Sequence, residues 1–198
     1  MMSLEVLNTT GTLLTIIIVA ATAVAALVQL RHLRAGNQIT ALLTIGDRFQ
    51  DSGFRNALYA INHGLAQAMN NDAFRTYISS RLRGLTMPNV PPEYIALNQS
   101  ATLVGNFYEQ AGNLVKNGVV DETLFLDQYC NSTVGTWKRL ESYVAFMRAV
   151  TNDIGLWDNF EYLTVRSREF LRKYPTTYPK GVPRIELESP WPVPSRSD

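Results

Sequence analysis

Residues Val6–Leu30 read VLNTTGTLLTIIIVAATAVAALVQL, with no ionisable side chain across 25 positions. A helix of that length rises roughly 37 Å, more than the ~30 Å hydrocarbon core of a bilayer requires. The stretch therefore reads as a membrane-spanning helix over about residues 8–30. A helix buried in a soluble core seldom stays uncharged for so long. A cleaved signal peptide is the other alternative, with Ala21-Thr22-Ala23 or Ala23-Val24-Ala25 as small-residue cleavage sites. It needs a basic segment ahead of the apolar run. Here Glu5 is the only charged side chain before it, and Arg31 and Arg34 follow it.

Those charges also orient the span. Arg31, Arg34 and Arg48 lie on its C-terminal side, so the positive-inside rule puts the N-terminus outside and the rest in the cytoplasm. The expected location is the inner (plasma) membrane. The expected organisation is a tail and anchor over 1–34, a cytoplasmic helical domain over 35–174 and a Pro-rich tail over 175–198.

The 198-residue chain leaves about 160 residues beyond the anchor, enough for one domain with its own core. Net charge is +1, without the basic excess of a nucleic-acid-binding domain, and no nucleic acid is expected. A single cysteine, Cys130, excludes an intramolecular disulfide. Two histidines, His32 and His63, cannot form a multi-histidine metal site, and neither has a glutamate three residues before it.

Beyond the anchor, apolar residues recur at helical spacing. Ile39, Leu42, Leu43, Gly46 and Phe49 continue the first helix, with Gly36 as a candidate loosening point and Asp51-Ser52-Gly53 as a break. Phe54, Leu58, Ile61, Leu65 and Met69 form one stripe. Asp72 is the expected N-cap of the next helix, which carries Phe74, Tyr77, Ile78 and Leu82. Gly84–Pro92 is a loop, and Pro92 suits a first helical position. Tyr94, Leu97, Ala101, Val104, Phe107, Ala111 and Leu114 then mark a long helix that ends at Asn117-Gly118. Asp121 caps a short helix with a break expected near Asn131-Ser132. Val134, Trp137, Leu140, Val144, Met147 and Val150 follow, and Asn152-Asp153 is the expected start of a last helix. Six of the nine prolines fall after Tyr174, which predicts an extended tail that is disordered over 190–198. The expected fold is all-α: one transmembrane helix, a bundle of five or six helices, and a Pro-rich tail.

Motifs for catalysis are missing: no P-loop, no Gly-x-Gly-x-x-Gly, no Gly-x-Ser-x-Gly and no His-Glu-x-x-His. No catalytic residue, metal or cofactor is implied. Carboxylates are the remaining chemistry. Glu109 shares its helix face with Gly105 and Gly112, which would admit a second helix at close range. A buried Glu109 would need a partner, with Arg148 and Arg166 as candidates and Glu161 as a second acid. A solvent-facing glutamate is the plainer alternative. The quartet Asn159-Phe160-Glu161-Tyr162 echoes Asn106-Phe107-Tyr108-Glu109, with chance similarity favoured over a facing pair. Helix capping accounts for Asp121 and Glu122. The basic residues Arg31, Arg34, Arg168, Arg172 and Lys173 are candidates for contact with anionic lipid, with plain helix-end solvation as the alternative.

The elements Asn106-Phe107-Tyr108-Glu109, Leu114-Val115, Gly118, Asp121-Glu122, Trp137 and Trp157-Asp158-Asn159-Phe160-Glu161-Tyr162-Leu163 resemble a bacterial family of uncharacterised, membrane-anchored helical proteins, a domain of unknown function. The resemblance spans roughly 101–174. It implies an all-α, anchored protein from a bacterium and no activity.

Three functions are weighed. The first is a membrane-anchored binding, scaffolding or regulatory domain, whose partners are the lipid bilayer and a protein or a second copy. The second is a membrane-surface enzyme or small-ligand or lipid-binding protein using Glu109 or Glu161. The third is a membrane-acting defence or toxin-like effector. Convergent polar groups in a concave pocket separate the second from the first.

Overall fold

A computed structural model of the chain describes residues 4–188 and 190–192, with side chains from residue 8. Helix α1 (Leu4–Gln50) is followed by α2 (Ser52–Ala60), a π-helical turn (Ile61–Leu65) and α3 (Ala66–Met69), which share one path. Then come α4 (Asp72–Leu82), α5 (Pro92–Lys116), α6 (Glu122–Thr151) and α7 (Asp158–Lys173). The fold is all-α, with no strand among the described residues.

Helix α1 is the one described helix long and apolar enough to cross a membrane, and its most apolar window is not buried by the rest of the protein. It runs through Gly36 without a break, contrary to the loosening expected there. A helical glycine is only mildly unfavourable, and the turns around it hold regular geometry. Beyond the apolar segment, one face of α1 turns to the bundle. Gln38, Ala41, Leu42, Ile45, Gly46 and Phe49 are the buried or half-buried positions, three or four apart. The Gln38 amide donates to the Gly118 carbonyl, and Arg48 donates to Gln110 at 2.8 Å. Phe49 meets Phe54, Phe107 and Tyr129 at centroid distances of 5.3–6.1 Å. Asp51 then ends the helix and caps α2 by accepting from the Phe54 N–H.

These contacts set the direction of every element. Gln38 meets Gly118 while Arg48, ten residues further, meets Gln110, so α5 runs antiparallel to α1. The turn from α5 to α6 therefore lies next to the apolar segment. Helix α6 leads away from it, and α7 returns alongside α6, bringing Arg166 to Glu122.

Two boundaries differ from the expectations. No break occurs at Asn131-Ser132: α6 is a single 30-residue helix. Its polar positions are satisfied in helical form, since Thr133 donates to the Tyr129 carbonyl and Ser132 bonds the Tyr108 hydroxyl at 2.7 Å. Asn152 ends α6 in the left-handed conformation (φ 53°) rather than starting the next helix. Helix α7 begins six residues later, after a turn in which Asp153 accepts from the Gly155 N–H. A smaller shift occurs at α4, where Asn71 is the cap and Asp72 the first helical residue. From Tyr174 the described residues have neither helix nor strand. Residues 193–198 of the expected disordered end lie outside the described residues.

Candidate functional site

Positions 105, 109 and 112 of α5 fall on one helical face. The segment that meets this face is the N-terminal turn of α7. A Cβ built at Gly105 would lie 2.1 Å from the Trp157 ring, and one at Gly112 would lie 2.2 Å from the Asn159 carbonyl oxygen. A larger residue at Gly105 would displace the Trp157 ring, and one at Gly112 would displace the α7 backbone.

Helix α7 lacks a cap of its own. Its N-cap residue, Trp157, is left-handed (φ 56°) and offers no side-chain acceptor. The indole instead fills the space at Gly105 and donates from Nε1 to Asn106 Oδ1 at 2.9 Å. Glu109 supplies the missing cap from the neighbouring helix. Its Oε2 accepts the Phe160 N–H at 3.0 Å, and its Oε1 accepts from the Asn159 amide at 2.5 Å. A carboxylate here also complements the positive end of the α7 dipole. Beneath it, Tyr108 stacks on Phe160 (4.6 Å, 11°), and Trp137 packs edge-on against the same ring. Burial raises the Tyr108 phenol above its usual range, while its bonds to Ser132 and Thr136 act in the opposite sense.

The quartets 106–109 and 159–162 thus do face one another, against the expectation of chance similarity. The candidate acids and bases do not form one network. Glu109 is held by Asn159 and the Phe160 backbone, not by an arginine. Arg148 donates from Nε to the Leu156 carbonyl at 2.9 Å and pairs with the half-exposed Glu161 at 2.6 Å, fastening the turn before α7. Arg166 joins Glu122 to Glu169, and its bond to Glu122 raises its pKa further. Three separate fasteners for α7 stand where one polar network was expected. Of the basic candidates, Arg31, Arg34, Arg168, Arg172 and Lys173 are all exposed.

Cys130 is buried on α6, and burial pushes its thiol up, away from the thiolate form a nucleophile needs. No group of three or more His, Cys, Asp or Glu side chains is placed to hold a metal among the described residues.

The concave feature lies on the other side of α5. A cleft of about 390 Å³ opens where α1 turns into α2, lined by Arg48, Asp51, Gly53, Phe54, Leu103, Asn106, Phe107 and Gln110. A smaller one of about 160 Å³ adjoins it, sharing Arg48, Phe107 and Gln110 and extending to Ala41 and Leu114. Together they form a groove lined by α1, the start of α2 and α5, in which apolar side chains mix with an arginine, a carboxylate and two amides. Arg48 enters the sequence argument only as an orienting charge. Its place in the cleft arises from the direction in which α2 leaves the break at Asp51; the turn residues report the break but not its direction.

The model of a family described as a domain of unknown function, DUF4760, matches residues 16–167. The chain belongs to the DUF4760 family. The matched range takes in most of the apolar α1 segment, the cleft and the whole junction of α5 with the start of α7. No curated protein and no solved structure matches the chain. In this DUF4760 chain, Asn106–Glu109 and Trp157–Phe160 lock α7 to α5, with Glu109 as the helix cap.

Proposed function

We propose that this DUF4760 chain is a single-pass inner-membrane protein of bacterial origin, N-terminus outside, whose cytoplasmic helical body is a binding module with a scaffolding or regulatory role. The observation that supports a binding role most is the groove between α1 and α5. The proposed anchor helix forms one wall, so whatever occupies the groove touches anchor and body together. Its mixture of Phe54, Phe107 and Leu103 with Arg48, Asp51, Asn106 and Gln110 suits a polypeptide segment that inserts an apolar side chain and satisfies its own amides at the rim. The enzyme reading has less support, because Glu109 and Glu161 are both engaged in fastening α7. Orientation rests on Arg31, Arg34 and Arg48 following the apolar run.

A photo-crosslinking residue at Leu103, which is half exposed in the cleft wall, tests the proposal in native membranes. A discrete adduct is expected at Leu103, absent with the same residue at Ser142 on the exposed side of α6. Equal labelling at both positions, or none at either, would overturn the groove as the binding surface.

A further inference from the structure

The end of the body nearest the apolar segment carries a second surface. A Cβ at Gly118 would lie 4.0 Å from the Arg34 guanidinium, and the Gly118 carbonyl accepts from Gln38. Arg34 is only three residues, or roughly 4.5 Å of helix, beyond the first charge after the span. The headgroup layer is itself about 5–8 Å thick on each side. If the span crosses the bilayer, the Asn117–Asp121 turn lies between the levels of Arg34 and Gln38, roughly 6–12 Å of uninterrupted helix beyond Leu30, within reach of the headgroups when α1 tilts.

The residues at this level match such a surface. Val119, at the tip of the turn, is 45% exposed, a large apolar side chain that the bundle does not cover. Helix α7 ends at the same level: Lys173 and Tyr174 share a depression with Glu122 and Thr123, the first residues of α6. Lys116, Arg168, Arg172 and Lys173 are exposed there, together with Arg31 and Arg34. The acidic side chains at this end of α5, α6 and α7 are fewer. Glu122 and Glu169 are bound to Arg166, which leaves Asp121, occupied as a helix cap, and Asp127.

We infer that this end of the body is a lipid-recognition face: the Asn117–Asp121 turn seats in the headgroups with Val119 inserted, and Lys116, Arg168, Arg172 and Lys173 bind anionic lipid. The inference rests on the anchor reading above. A cation near an anionic leaflet strengthens binding by about fivefold. Four of them, on a body carried by an uninterrupted α1, select the tilt of that helix that brings this face onto the leaflet.

Full-length protein, Cys130→Ala throughout, is reconstituted in phosphatidylcholine bilayers with or without phosphatidylglycerol. Spin labels are placed singly at Ile17, Val119 and Ser142, and their collision with oxygen and with a water-soluble nickel chelate is compared. In anionic bilayers the oxygen-to-nickel ratio at Val119 is expected to be several-fold above that at Ser142. Lys116→Gln/Arg168→Gln/Arg172→Gln/Lys173→Gln is expected to return it toward the Ser142 value. A lipid-buried label at 17 with an aqueous label at 119 would overturn the seating and leave the anchor standing. An aqueous label at 17 would overturn both. A label at 119 that is lipid-buried in both compositions and indifferent to the four substitutions would overturn recognition of anionic lipid.

Discussion

Glu109→Gln isolates what the carboxylate contributes. The variant keeps the shape of the side chain but presents one oxygen and one NH2 group to two donors, the Phe160 N–H and the Asn159 amide. One of the two contacts must become donor against donor. Losing a hydrogen bond to a charged acceptor costs about 1.5–3 kcal/mol. The lost charge at the α7 N-terminus adds about 0.3–1 kcal/mol. The expected cost is therefore about 2–4 kcal/mol. Glu161→Gln is the internal control. Its partner Arg148 is mostly buried, but Glu161 itself is 48% exposed, so solvent screening holds its loss to about 0–1 kcal/mol. Urea unfolding of both variants in detergent, followed by tryptophan fluorescence, reads the difference, since Trp137 and Trp157 both lie in the α7 interface. For a body of this size, the Glu109→Gln midpoint should also fall by roughly 4–16 °C on heating. Equal losses for the two variants, or a Glu109→Gln loss under about 0.5 kcal/mol, would refute the capping role.

Gly112→Ala should also be damaging, because its Cβ would meet a backbone oxygen rather than a flexible side chain; about 1–3 kcal/mol in the same unfolding assay is expected, and a neutral result would mean α7 sits further from α5. Burial pushes the Tyr143 phenol up to about 12, so above pH 10 the unfolded chain loses a proton that the folded chain retains. That contribution, about 2–3 kcal/mol, is complete below pH 10 and is lost as pH rises toward 12, and unfolding free energies measured across that range should decline accordingly. Cys130, buried with a raised pKa, should react with a thiol reagent at neutral pH at least tenfold more slowly than after denaturation.

The long apolar run, the helical stripes, the first helical position at Pro92, the left-handed Gly118 after α5 and the cap at Asp121 were legible because each depends on neighbours within one or two turns. So was the close approach at Gly105 and Gly112, since paired glycines on one face have few other uses. The segment that approaches them was not legible. Glu109 and Asn159 lie fifty residues apart, and no local pattern says that a glutamate caps a helix elsewhere in the chain. The same limit explains α6: Ser132 resembles a helix breaker until Tyr108, on another element, takes its hydroxyl. The misplaced start of α7 has a different origin. Asn152 has the residue type of an N-cap and the backbone of a C-cap, and its left-handed φ leads the chain into the turn at Asp153–Gly155. The break at Asp51-Ser52-Gly53 was legible from its turn residues, but the cleft at Arg48 depends on the angle between the two helices there, which local sequence does not encode.

The uninterrupted α1 makes the body and the proposed span one lever. About twenty of its residues, roughly 30 Å, extend beyond the apolar segment. A transmembrane helix relieves a thickness mismatch by tilting, commonly by about 20°, which would carry the far end of this shaft sideways by about 10 Å. With no hinge at Gly36 to absorb the motion, a thinner or thicker bilayer would re-aim the entire body.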